Sequence, residues 1–319
     1  MNPDISIIVV TWNSAPWIER CLRAIPAAAG SRSFETIVWD NASSDASAPI
    51  ARGVDVNALS VVDSATNRGF AGALNDAMPR ARGRYIFLLN PDCETQPGSI
   101  ETLAAFLDET GAAGAVPLLV GDDGEPQSVF QLRRFPTLRS ILADVLLVEK
   151  IHPANRATRA YRYGGIDLAR PQAIEQPAAA ALMLRRETID ATGPFDERFH
   201  PAWFEDVDYC RRIHDAGGRL YLVPAARVVH AGGSSVDVLG LGRFLELWYR
   251  NLYRYAGKWL GKKDAERVRM AIVGGMILRI GAAAAGIGLG AVARRDAIAA
   301  YRRVLGQAWR RWDETSRPS

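Results

Sequence analysis

Residues 5–12, "ISIIVVTW", form a short apolar run that is rich in β-branched side chains and ends beside polar residues. A run of this kind predicts a buried β-strand. Segments of helical length separate it from three similar runs, which are "ETIVWD" (35–40), "LSVVD" (59–63) and "YIFLLN" (85–90). This alternation predicts βαβ units in a mostly parallel sheet, so the first part of the chain is predicted to be an α/β domain.

The composition fits a globular protein of a reducing compartment. The chain has 319 residues, of which 48% are hydrophobic, which is enough for one large domain and an appendage. The three cysteines, Cys21, Cys93 and Cys210, are scattered and form no CxxC pair, so neither a disulfide framework nor a zinc cluster is predicted. The start of the sequence lacks a basic segment before its short apolar run, and no secretory signal is expected. A cytoplasmic location is the expectation.

Polar residues close three of the predicted strands, at the edge of a parallel sheet where ligands bind. Thr11 and Asn13 follow the first strand, Asp40 ends the second, and Asn90 and Asp92 follow the fourth. Asp40 is suited to accept hydrogen bonds from a nucleobase or ribose, and Asp92 to hold a Mg²⁺ or Mn²⁺ ion on a diphosphate. The alternative is that these residues serve only in turns and helix caps.

The segment "NRGFAGALNDA" (67–77) places small residues at the start of a predicted helix. Backbone N–H groups and Arg68 are predicted to face a nucleotide there. Asn67, Gly69 and Asn75 of the same segment are further candidates for nucleotide-sugar binding. As a glycine pattern the segment is weak evidence by itself.

Six ordered segments together resemble the family 2 glycosyltransferases, particularly the rhamnosyltransferase-like branch. The segments lie within roughly residues 4–236 and are "SIIVVTWN", "VWDNASSD", "NRGFAGALNDA", "LLNPDCE", "AAALMLRRETIDATGPFDERF" and "FEDVDYCRRIHDAGGRLYLVPAARVVHAGGSS". The resemblance implies a GT-A fold, a nucleotide-sugar donor, a divalent metal ion and inversion at the anomeric carbon. Many relatives carry Asp-x-Asp as the metal motif. This chain has Asn90-Pro91-Asp92, the form usual in the rhamnosyltransferase-like branch, which leaves one carboxylate for the metal.

The stretch "WFEDVDYCRR" (203–212) crowds three carboxylates into the start of a predicted helix. Helical spacing places Glu205 and Asp208 on one side and Asp206 on another. The helix dipole stabilises carboxylates in a first turn, and this is the simpler explanation for Glu205 and Asp208. An inverting transfer needs a base that takes the proton of the acceptor hydroxyl. The family's Glu-Asp pair matches Glu205 and Asp206, and implies that Asp206 is the base and that Glu205 orients the acceptor or the base.

His230 ends a predicted strand and precedes a glycine loop. A single histidine of this kind is commonly a structural residue. The resemblance implies a different role, because relatives carry a histidine here that approaches the metal or the diphosphate. Asp92 and His230 are therefore the predicted metal ligands.

The predicted catalytic domain spans residues 1–239, with a donor half at about 1–120 and an acceptor half at about 121–239. The remaining residues, 240–319, contain 16 Lys and Arg against 6 Asp and Glu, whereas the preceding part contains 23 against 29. A basic, helical C-terminal appendage is predicted. Its charge is not attributed to nucleic-acid binding, because no recognised binding motif accompanies it.

Residues 270–293 of this appendage carry a single charged residue, Arg279, and six glycines. A central arginine costs about 2.5 to 3.5 kcal/mol in a membrane-spanning helix, and alanine and glycine contribute little hydrophobic gain. We therefore expect a helix or helical hairpin lying in the membrane interface, aided by the aromatic and basic residues of 248–263. The alternative is packing against the catalytic domain or against a second copy in a homo-oligomer.

The sequence thus predicts an inverting glycosyltransferase at the inner face of the cell membrane. By resemblance, it transfers L-rhamnose from dTDP-L-rhamnose to a lipid-linked saccharide in cell-surface polysaccharide synthesis. A sugar nucleotidylyltransferase is an alternative, but its glycine-rich loop with Arg and Lys is missing from "VVTWNSAPWIERCL". A catalytically inactive membrane scaffold is another, and it would tolerate loss of acids that this chain retains.

Overall fold

The computed structural model of the chain describes residues 2–152, 155–232, 234–287 and 292–312. Contacts between residues divide the chain into two compact units. The first unit contains Met1–Arg134, Gly165–Arg198 and Glu205–Ser234. The second unit contains Phe135–Gly164, Phe199–Phe204 and Ser235–Ser319. The second unit therefore takes in two segments of the predicted acceptor half as well as the predicted appendage.

The strands all belong to the first unit. In chain order they are β1 (Ile5–Thr11), β2 (Phe34–Asp40), β3 (Leu59–Asp63), β4 (Tyr85–Leu89), β5 (Cys93–Thr95), β6 (Gly114–Val120), β7 (Leu132–Arg133), β8 (Gln172–Ile174), β9 (Gln176–Pro177), β10 (Ala181–Arg185) and β11 (Leu220–His230). The four apolar runs of the sequence are β1 to β4, as predicted.

The helices divide between the units. Those of the first unit are α1 (Ile18–Ala29), α2 (Ser47–Gly53), α3 (Gly69–Ala77), α4 (Ser99–Thr110), α5 (Ser128–Gln131), α9 (Arg186–Thr192) and α10 (Glu205–Asp215). Those of the second unit are α6 (Leu138–Val145), α7 (Val148–Ile151), α8 (Arg156–Tyr161), α11 (Ser234–Trp259), α12 (Lys262–Ala284) and α13 (Arg294–Trp309).

Nine strands of the described residues form one mixed sheet in the first unit. The order is β3-β2-β1-β4-β10-β6-β11-β5, and β8 pairs with β11 beside this path. The neighbours among β1 to β4 are parallel, as predicted, whereas β10 runs antiparallel between β4 and β6. The carboxyl ends of β1, β2 and β4 therefore meet at one edge, with Thr11 directly opposite Asp40.

Burial explains why these segments take their places in the sheet. All seven residues of β1 are buried, as expected for a strand covered on both faces. In α1, Ile18, Cys21, Leu22 and Ile25 are buried and recur at helical spacing, so the helix covers the sheet with one apolar side. These side chains and those of Ile5, Ile7 and Val9 in β1 belong to one hydrophobic core.

At the amino end of the parallel strands, a buried carboxylate is bonded on both oxygens. Ser6 Oγ and the backbone N–H of Arg82 donate to Glu35 Oε1 at 2.6 and 2.7 Å. The Arg82 guanidinium donates to Glu35 Oε2 at 2.6 Å. Burial raises the pKa of Glu35, but the hydrogen bonds from Arg82 and Ser6 outweigh it and hold the pKa below its ordinary value. Glu35 is therefore ionised, and its hydrogen bonds hold Ser6 of β1 and Arg82, shortly before β4, in place.

The second unit is helical, as the appendage was predicted to be. Within it, α12 packs against α6 and α13, and the Arg279 guanidinium donates to the carbonyl oxygen of Val145 at 2.6 Å. The arginine that interrupts the apolar stretch thus has a backbone partner in the same unit. In the same unit, Asn251 of α11 is fully buried and donates to the carbonyl oxygens of Ala202 and Trp203 at 2.8 and 3.1 Å.

None of the helices among the described residues combines the length and the apolar character needed to cross a bilayer. Residues 270–284 of the predicted interfacial segment lie in α12, and residues 288–291 lie outside the described residues. Residues 313–319 of the predicted appendage also lie outside them.

Candidate functional site

Two buried side-chain oxygens, Thr11 Oγ1 and Asp40 Oδ1, lie at the carboxyl ends of β1 and β2. Asp40 accepts a hydrogen bond from the backbone N–H of Ser43 through Oδ2 at 3.0 Å. Its other oxygen, Oδ1, is buried and has no hydrogen-bond partner among the described residues, and the same holds for Oγ1 of Thr11. A buried oxygen without a donor costs free energy, and a ligand that supplies N–H or O–H groups would offset this cost; nucleotide binding by Asp40 and Thr11 stays a prediction. A nucleoside has such groups.

Asn13 ties the loops that follow β1 and β2 together. Its backbone N–H donates to Ser43 Oγ at 2.9 Å, and its Oδ1 accepts from the backbone N–H of Ser44 at 2.8 Å. Its φ of 51° lies in the left-handed region, which asparagine tolerates better than most residues. The structure therefore gives Asn13 a part in shaping the loop next to Asp40, and direct contact with a nucleotide stays a prediction.

The turn before α3 is held by two asparagines. Asn67 Oδ1 accepts from the backbone N–H of Gly69 at 2.8 Å and from Asn41 Nδ2 at 3.0 Å. Asn41 Oδ1 accepts in turn from the backbone N–H of Arg68 at 2.9 Å. Gly69 has a φ of 72°, where a side chain would be strained. Asn41 was missed by the sequence analysis, although it lies in the polar motif that closes β2.

Arg68 and Asn75, which were predicted to face the nucleotide, have protein partners. The Arg68 guanidinium is 2.7 Å from Glu197 Oε2. Asn75 exchanges hydrogen bonds with the backbone of Phe195, accepting at 2.8 Å and donating at 3.0 Å, and also donates to Glu197 Oε1 at 3.0 Å. These bonds fasten α3 to the segment around Phe195. Nucleotide binding by Arg68 or Asn75 stays a prediction.

The predicted metal ligands lie together where β5 pairs with β11. In this antiparallel pair Cys93 is opposite His230, and this brings the preceding residue, Asp92, beside the histidine. Asp92 Oδ2 is 3.7 Å from His230 Nε2. Ligand atoms of Asp92, Cys93 and His230 lie within 4.8 Å of one another. Asn90 contributes its backbone to this turn, and its N–H donates to the carbonyl oxygen of Ala180 at 2.8 Å.

Of these three potential metal ligands, only Asp92 and His230 have side chains in a state suited to bind a divalent ion. Burial raises the pKa of the Cys93 thiol well above its ordinary value, and its Sγ donates to the carbonyl oxygen of Ala180 at 3.4 Å. Burial lowers the pKa of His230, and the nearby Asp92 only opposes this, so the imidazole is neutral at neutral pH. One carboxylate oxygen and one neutral imidazole nitrogen remain. They fit Mn²⁺ well, and Mg²⁺ with more of its ligands supplied by oxygen atoms of a diphosphate and water.

The acid pair begins α10, as predicted. Glu205 is buried, and Asp206 is half-buried. Asp206 Oδ1 accepts from the backbone N–H of Val207 at 2.7 Å, and Oδ2 accepts from that of Ala179 at 3.3 Å. Burial raises the pKa of Asp206 against these hydrogen bonds and the charge of Arg133. A carboxylate with a raised pKa in a fixed orientation has the properties of a general base.

Glu205 differs from Asp206 in its surroundings. Burial, and then the charge of Asp206, raise the pKa of Glu205 well above its ordinary value. Its Oε2 atom is buried and has no hydrogen-bond partner among the described residues. Burial therefore disfavours the charged form of Glu205, and a second negative charge beside Asp206 disfavours it further.

Asp208 has a structural role, as its side of the helix indicated. It is fully buried, and the Arg212 guanidinium donates to its Oδ2 at 3.1 Å. Arg212 also donates to the carbonyl oxygens of Thr192 and Pro194, both at 2.8 Å. These bonds anchor α10 to the loop after α9.

The base candidate and the metal turn meet at two adjacent residues. Asp206 bonds to the N–H of Ala179, while the carbonyl oxygen of Ala180 accepts from Asn90. Both alanines are buried and lead into β10, which crosses the sheet beside β4. The strand start therefore connects the predicted base to the predicted metal site within the first unit.

A protein-family model described as "Glycosyl transferase family 2" matches residues 6–169 of the chain. The N-acetylglucosaminyl-diphospho-decaprenol L-rhamnosyltransferase of Mycobacterium tuberculosis is 30% identical over 250 residues, which are 72% of this chain and 76% of the relative. Rhamnosyltransferase WbbL of Escherichia coli (strain K12) is 22% identical over 231 residues, which are 71% of this chain and 83% of the relative.

Solved structures resemble the fold over most of the chain. Mannosyltransferase PcManGT from Pyrobaculum calidifontis, in complex with GDP-Man and Mn²⁺, has a TM-score of 0.58 at 18% identity, covering 98% of this chain and 88% of that one. TarS of S. aureus in complex with UDP-GlcNAc has a TM-score of 0.51 at 18% identity, covering 98% and 92%. These likenesses show the GT-A fold that the sequence resemblance implied.

Proposed function

The chain belongs to glycosyl transferase family 2, and we propose that it transfers L-rhamnose from dTDP-L-rhamnose to a polyprenyl-diphosphate-linked saccharide. The activity for which the Mycobacterium tuberculosis relative is named supports both the sugar and the acceptor class. The observation that carries the proposal is the joining of Asp206 to the turn of Asp92 and His230 through Ala179 and Ala180. This arrangement supplies a base and a site for a diphosphate-bound metal ion in one unit.

In the proposed reaction, a hydroxyl oxygen of the acceptor attacks the anomeric carbon of the donor sugar. The new C–O bond forms as the bond from that carbon to the diphosphate oxygen breaks, and the configuration at the carbon inverts. Asp206 Oδ2 or Oδ1 takes the proton of the hydroxyl group. The N–H groups of Val207 and Ala179 hold the carboxylate in place during the transfer. The products are the glycosylated acceptor and a nucleoside diphosphate.

Asp92 and His230 are the residues that would hold a divalent metal ion, Mg²⁺ or Mn²⁺. When bound, the ion supplies positive charge that stabilises the departing diphosphate. At the neighbouring strand ends, Asp40 Oδ1 and Thr11 Oγ1, which lack hydrogen-bond partners among the described residues, would accept hydrogen bonds from the nucleoside of the donor. The nucleoside and the diphosphate would thus be bound by separate parts of one sheet edge.

Release of nucleoside diphosphate tests this proposal. The protein is incubated with Mn²⁺, a polyprenyl-diphosphate-linked N-acetylglucosamine and, in parallel, the dTDP-, UDP- and GDP-activated forms of several sugars. We expect rapid release only with dTDP-L-rhamnose, and much less with Asp92→Ala. Transfer from a different donor would overturn the sugar assignment, and full activity of Asp92→Ala or in excess chelator would overturn the metal site.

We further propose that residues 240–319 bind the inner face of the cell membrane from the cytoplasm. The support is a row of half-exposed apolar side chains on α12, Met270, Ile277 and Leu278, in a region with many basic residues. Such a helix lies in the interface of an anionic bilayer. Replacing all three side chains by serine should release the protein from phosphatidylglycerol vesicles in a flotation assay. Equal binding of this variant and the wild type would overturn the proposal.

A further inference from the structure

Gln127, which the sequence analysis passed over, is bonded to His230 at both ends of its carboxamide. Gln127 Nε2 donates to the backbone carbonyl oxygen of His230 at 2.8 Å. Gln127 Oε1 is 2.8 Å from His230 Nδ1. The Gln127 backbone is fixed as well, because its N–H donates to the carbonyl oxygen of Leu119 in β6 at 2.9 Å. Gln127 is therefore held in place and bonds both the backbone and the side chain of the last residue of β11, His230.

These two hydrogen bonds together determine which nitrogen of the imidazole carries the proton. A carbonyl oxygen can only accept, so the nitrogen of the Gln127 carboxamide must face the backbone of His230. Its oxygen then faces Nδ1, which must be the N–H donor in a neutral imidazole. The remaining nitrogen, Nε2, has a free lone pair and lies on the side of Asp92 Oδ2, 3.7 Å away.

The plane of the imidazole ring is held by a second contact. The rings of Phe130 and His230 stack with centroids 5.0 Å apart and an angle of 16° between their planes. His230 is itself only 4% exposed. Stacking limits tilting of the ring, and the hydrogen bond to Gln127 Oε1 opposes the ring flip that would exchange Nδ1 with Cδ2 and Nε2 with Cε1. The lone pair of Nε2 therefore points in one direction.

We propose that Gln127 is a positioning residue that fixes the Nδ1–H tautomer of His230 and thereby presents Nε2 as a metal ligand. The inference rests on the proposed function for the presence of the metal ion. It goes further in naming the residue that makes the histidine competent to bind it. Metal-binding histidines generally donate their second ring N–H to such a partner, and loss of the partner weakens metal affinity by roughly 10- to 100-fold.

The experiment uses the full chain and two measurements that do not depend on turnover. The tautomer of His230 is read from its ring nitrogen resonances in ¹⁵N-histidine-labelled protein near neutral pH, and a His230→Asn variant assigns them among the four histidines. Affinity for Mn²⁺ alone is measured by electron paramagnetic resonance titration. In the wild type we expect the Nδ1–H tautomer and saturable binding of Mn²⁺.

Gln127→Leu removes both hydrogen bonds while keeping a side chain of similar length. We expect it to lose the single Nδ1–H tautomer and to bind Mn²⁺ roughly 10- to 100-fold more weakly. Gln127→Glu keeps an acceptor for Nδ1–H and should retain the tautomer, with Mn²⁺ affinity closer to the wild type than that of Gln127→Leu. Retention of both the tautomer and the affinity in Gln127→Leu would overturn the proposal.

Gln131 offers a matched control at the end of α5, the short helix that begins directly after Gln127. It is buried, and its Oε1 accepts from the backbone N–H of Leu119 at 2.9 Å. Gln131→Leu should lower the melting temperature but leave the tautomer of His230 unchanged. If Gln131→Leu changed the tautomer as much as Gln127→Leu, the effect would be one of general packing and the proposal would fail. A wild type that binds no Mn²⁺ would overturn the metal site itself, while the tautomer still reports on Gln127 alone.

Discussion

The two ends of the parallel strands in the first unit differ in how their polar groups are satisfied. At the amino end, Asp4 is bonded by Arg32 and Arg84, and Asp108 is bonded by the same two arginines. Glu35 is bonded on both oxygens. At the carboxyl end, by contrast, Thr11, Asp40 and Glu205 have buried oxygens without hydrogen-bond partners among the described residues. The three carboxylates named at the amino end are all paired within the part of the chain that the structure describes.

This difference separates stability from function along the same strands. A buried polar atom without a partner costs about 1 to 3 kcal/mol, so the carboxyl end is held in an unfavourable state by the rest of the fold. In the second unit, Trp203 and Phe204, which precede α10 in the chain, have φ values of 72° and 73°. Left-handed conformations cost about 1 to 3 kcal/mol for such side chains and cluster at functional sites. Substitutions at the carboxyl end should therefore reduce activity more than stability. Substitutions at the amino end should reduce stability more than activity.

The largest effect is expected for Asp206→Asn at the carboxyl end. The amide keeps the shape of the side chain but cannot accept the acceptor's proton, so turnover should fall by roughly 10² to 10⁴. The melting temperature should fall slightly, because Asp206 is half-buried and the amide oxygen still accepts from one of the two N–H groups, those of Val207 and Ala179, that bond the carboxylate. The measurement is steady-state release of nucleoside diphosphate beside thermal unfolding.

Asp208→Asn is the control for this prediction. Its carboxylate is fully buried against Arg212, so its loss should reduce stability more than turnover. If Asp206→Asn kept wild-type turnover while Asp208→Asn lost it, the base would be misassigned.

The acid limb of the pH–rate profile gives a second check on Asp206. Because burial raises the pKa of Asp206, activity should be lost as the pH falls through a value above the ordinary range of an aspartate.

A smaller effect is expected at the nucleotide end of the site. Asp40→Ala removes a buried acceptor for the donor, and a hydrogen bond to a charged group is worth about 1.5 to 3 kcal/mol. The Kd for dTDP, measured by calorimetry, should rise by roughly 10- to 100-fold. Asp63→Ala is the control, because this carboxylate ends the adjacent strand but is exposed and paired with Arg52. An equal loss in both variants would mean that Asp40 acts only through the overall charge.

The sequence predicted the strands better than the contacts of the site. The four apolar runs matched β1 to β4 because a run of β-branched and aromatic residues is a local pattern, and it is continuous in β1, β2 and β4, which are buried almost throughout. The nearness of Asp92 and His230 arises instead from the pairing of β5 with β11, which are distant in sequence. Only resemblance to a family could place these two residues together. Composition and periodicity carry no signal of such pairing.

Other features of the site could not be predicted because their meaning is geometric. Gln127 follows a strand as an ordinary turn residue would, and its importance appears only when β11 brings His230 beside it. Arg68 was predicted to face a nucleotide from its position at a helix start, yet Glu197, far along the chain, is bonded to it. A sequence shows which side chains can bind a phosphate, but it does not show which of them are paired with an acidic side chain in the fold.

At the amino end, Glu35→Gln should destabilise the protein without direct damage to the site. It removes charge-assisted hydrogen bonds from Arg82 and Ser6, so the free energy of unfolding should fall by about 1.5 to 3 kcal/mol. The pKa of Glu35 is lowered in the folded state, so its contribution is present above the unfolded value and is lost as the pH falls through the folded value. The difference between variant and wild type in denaturant unfolding should therefore shrink in acid. A difference that grew in acid would contradict the assignment.

The smallest expected effect has the opposite sign and concerns Glu205→Gln. The folded-state pKa of Glu205 is raised by burial and by Asp206, so its contribution to stability is full below the unfolded pKa and is lost as the pH rises through the folded pKa. Gln resembles the protonated form and does not ionise in the unfolded chain. The variant should therefore melt roughly 2 to 4 °C above the wild type at pH 8, which corresponds to about 1 kcal/mol for a protein of this size, and no higher at pH 4. Scanning calorimetry at the two pH values measures this. A lower melting temperature at pH 8 would show that Glu205 is ionised and stabilising, and the contrast between the two ends of the sheet would then not extend to the acid pair.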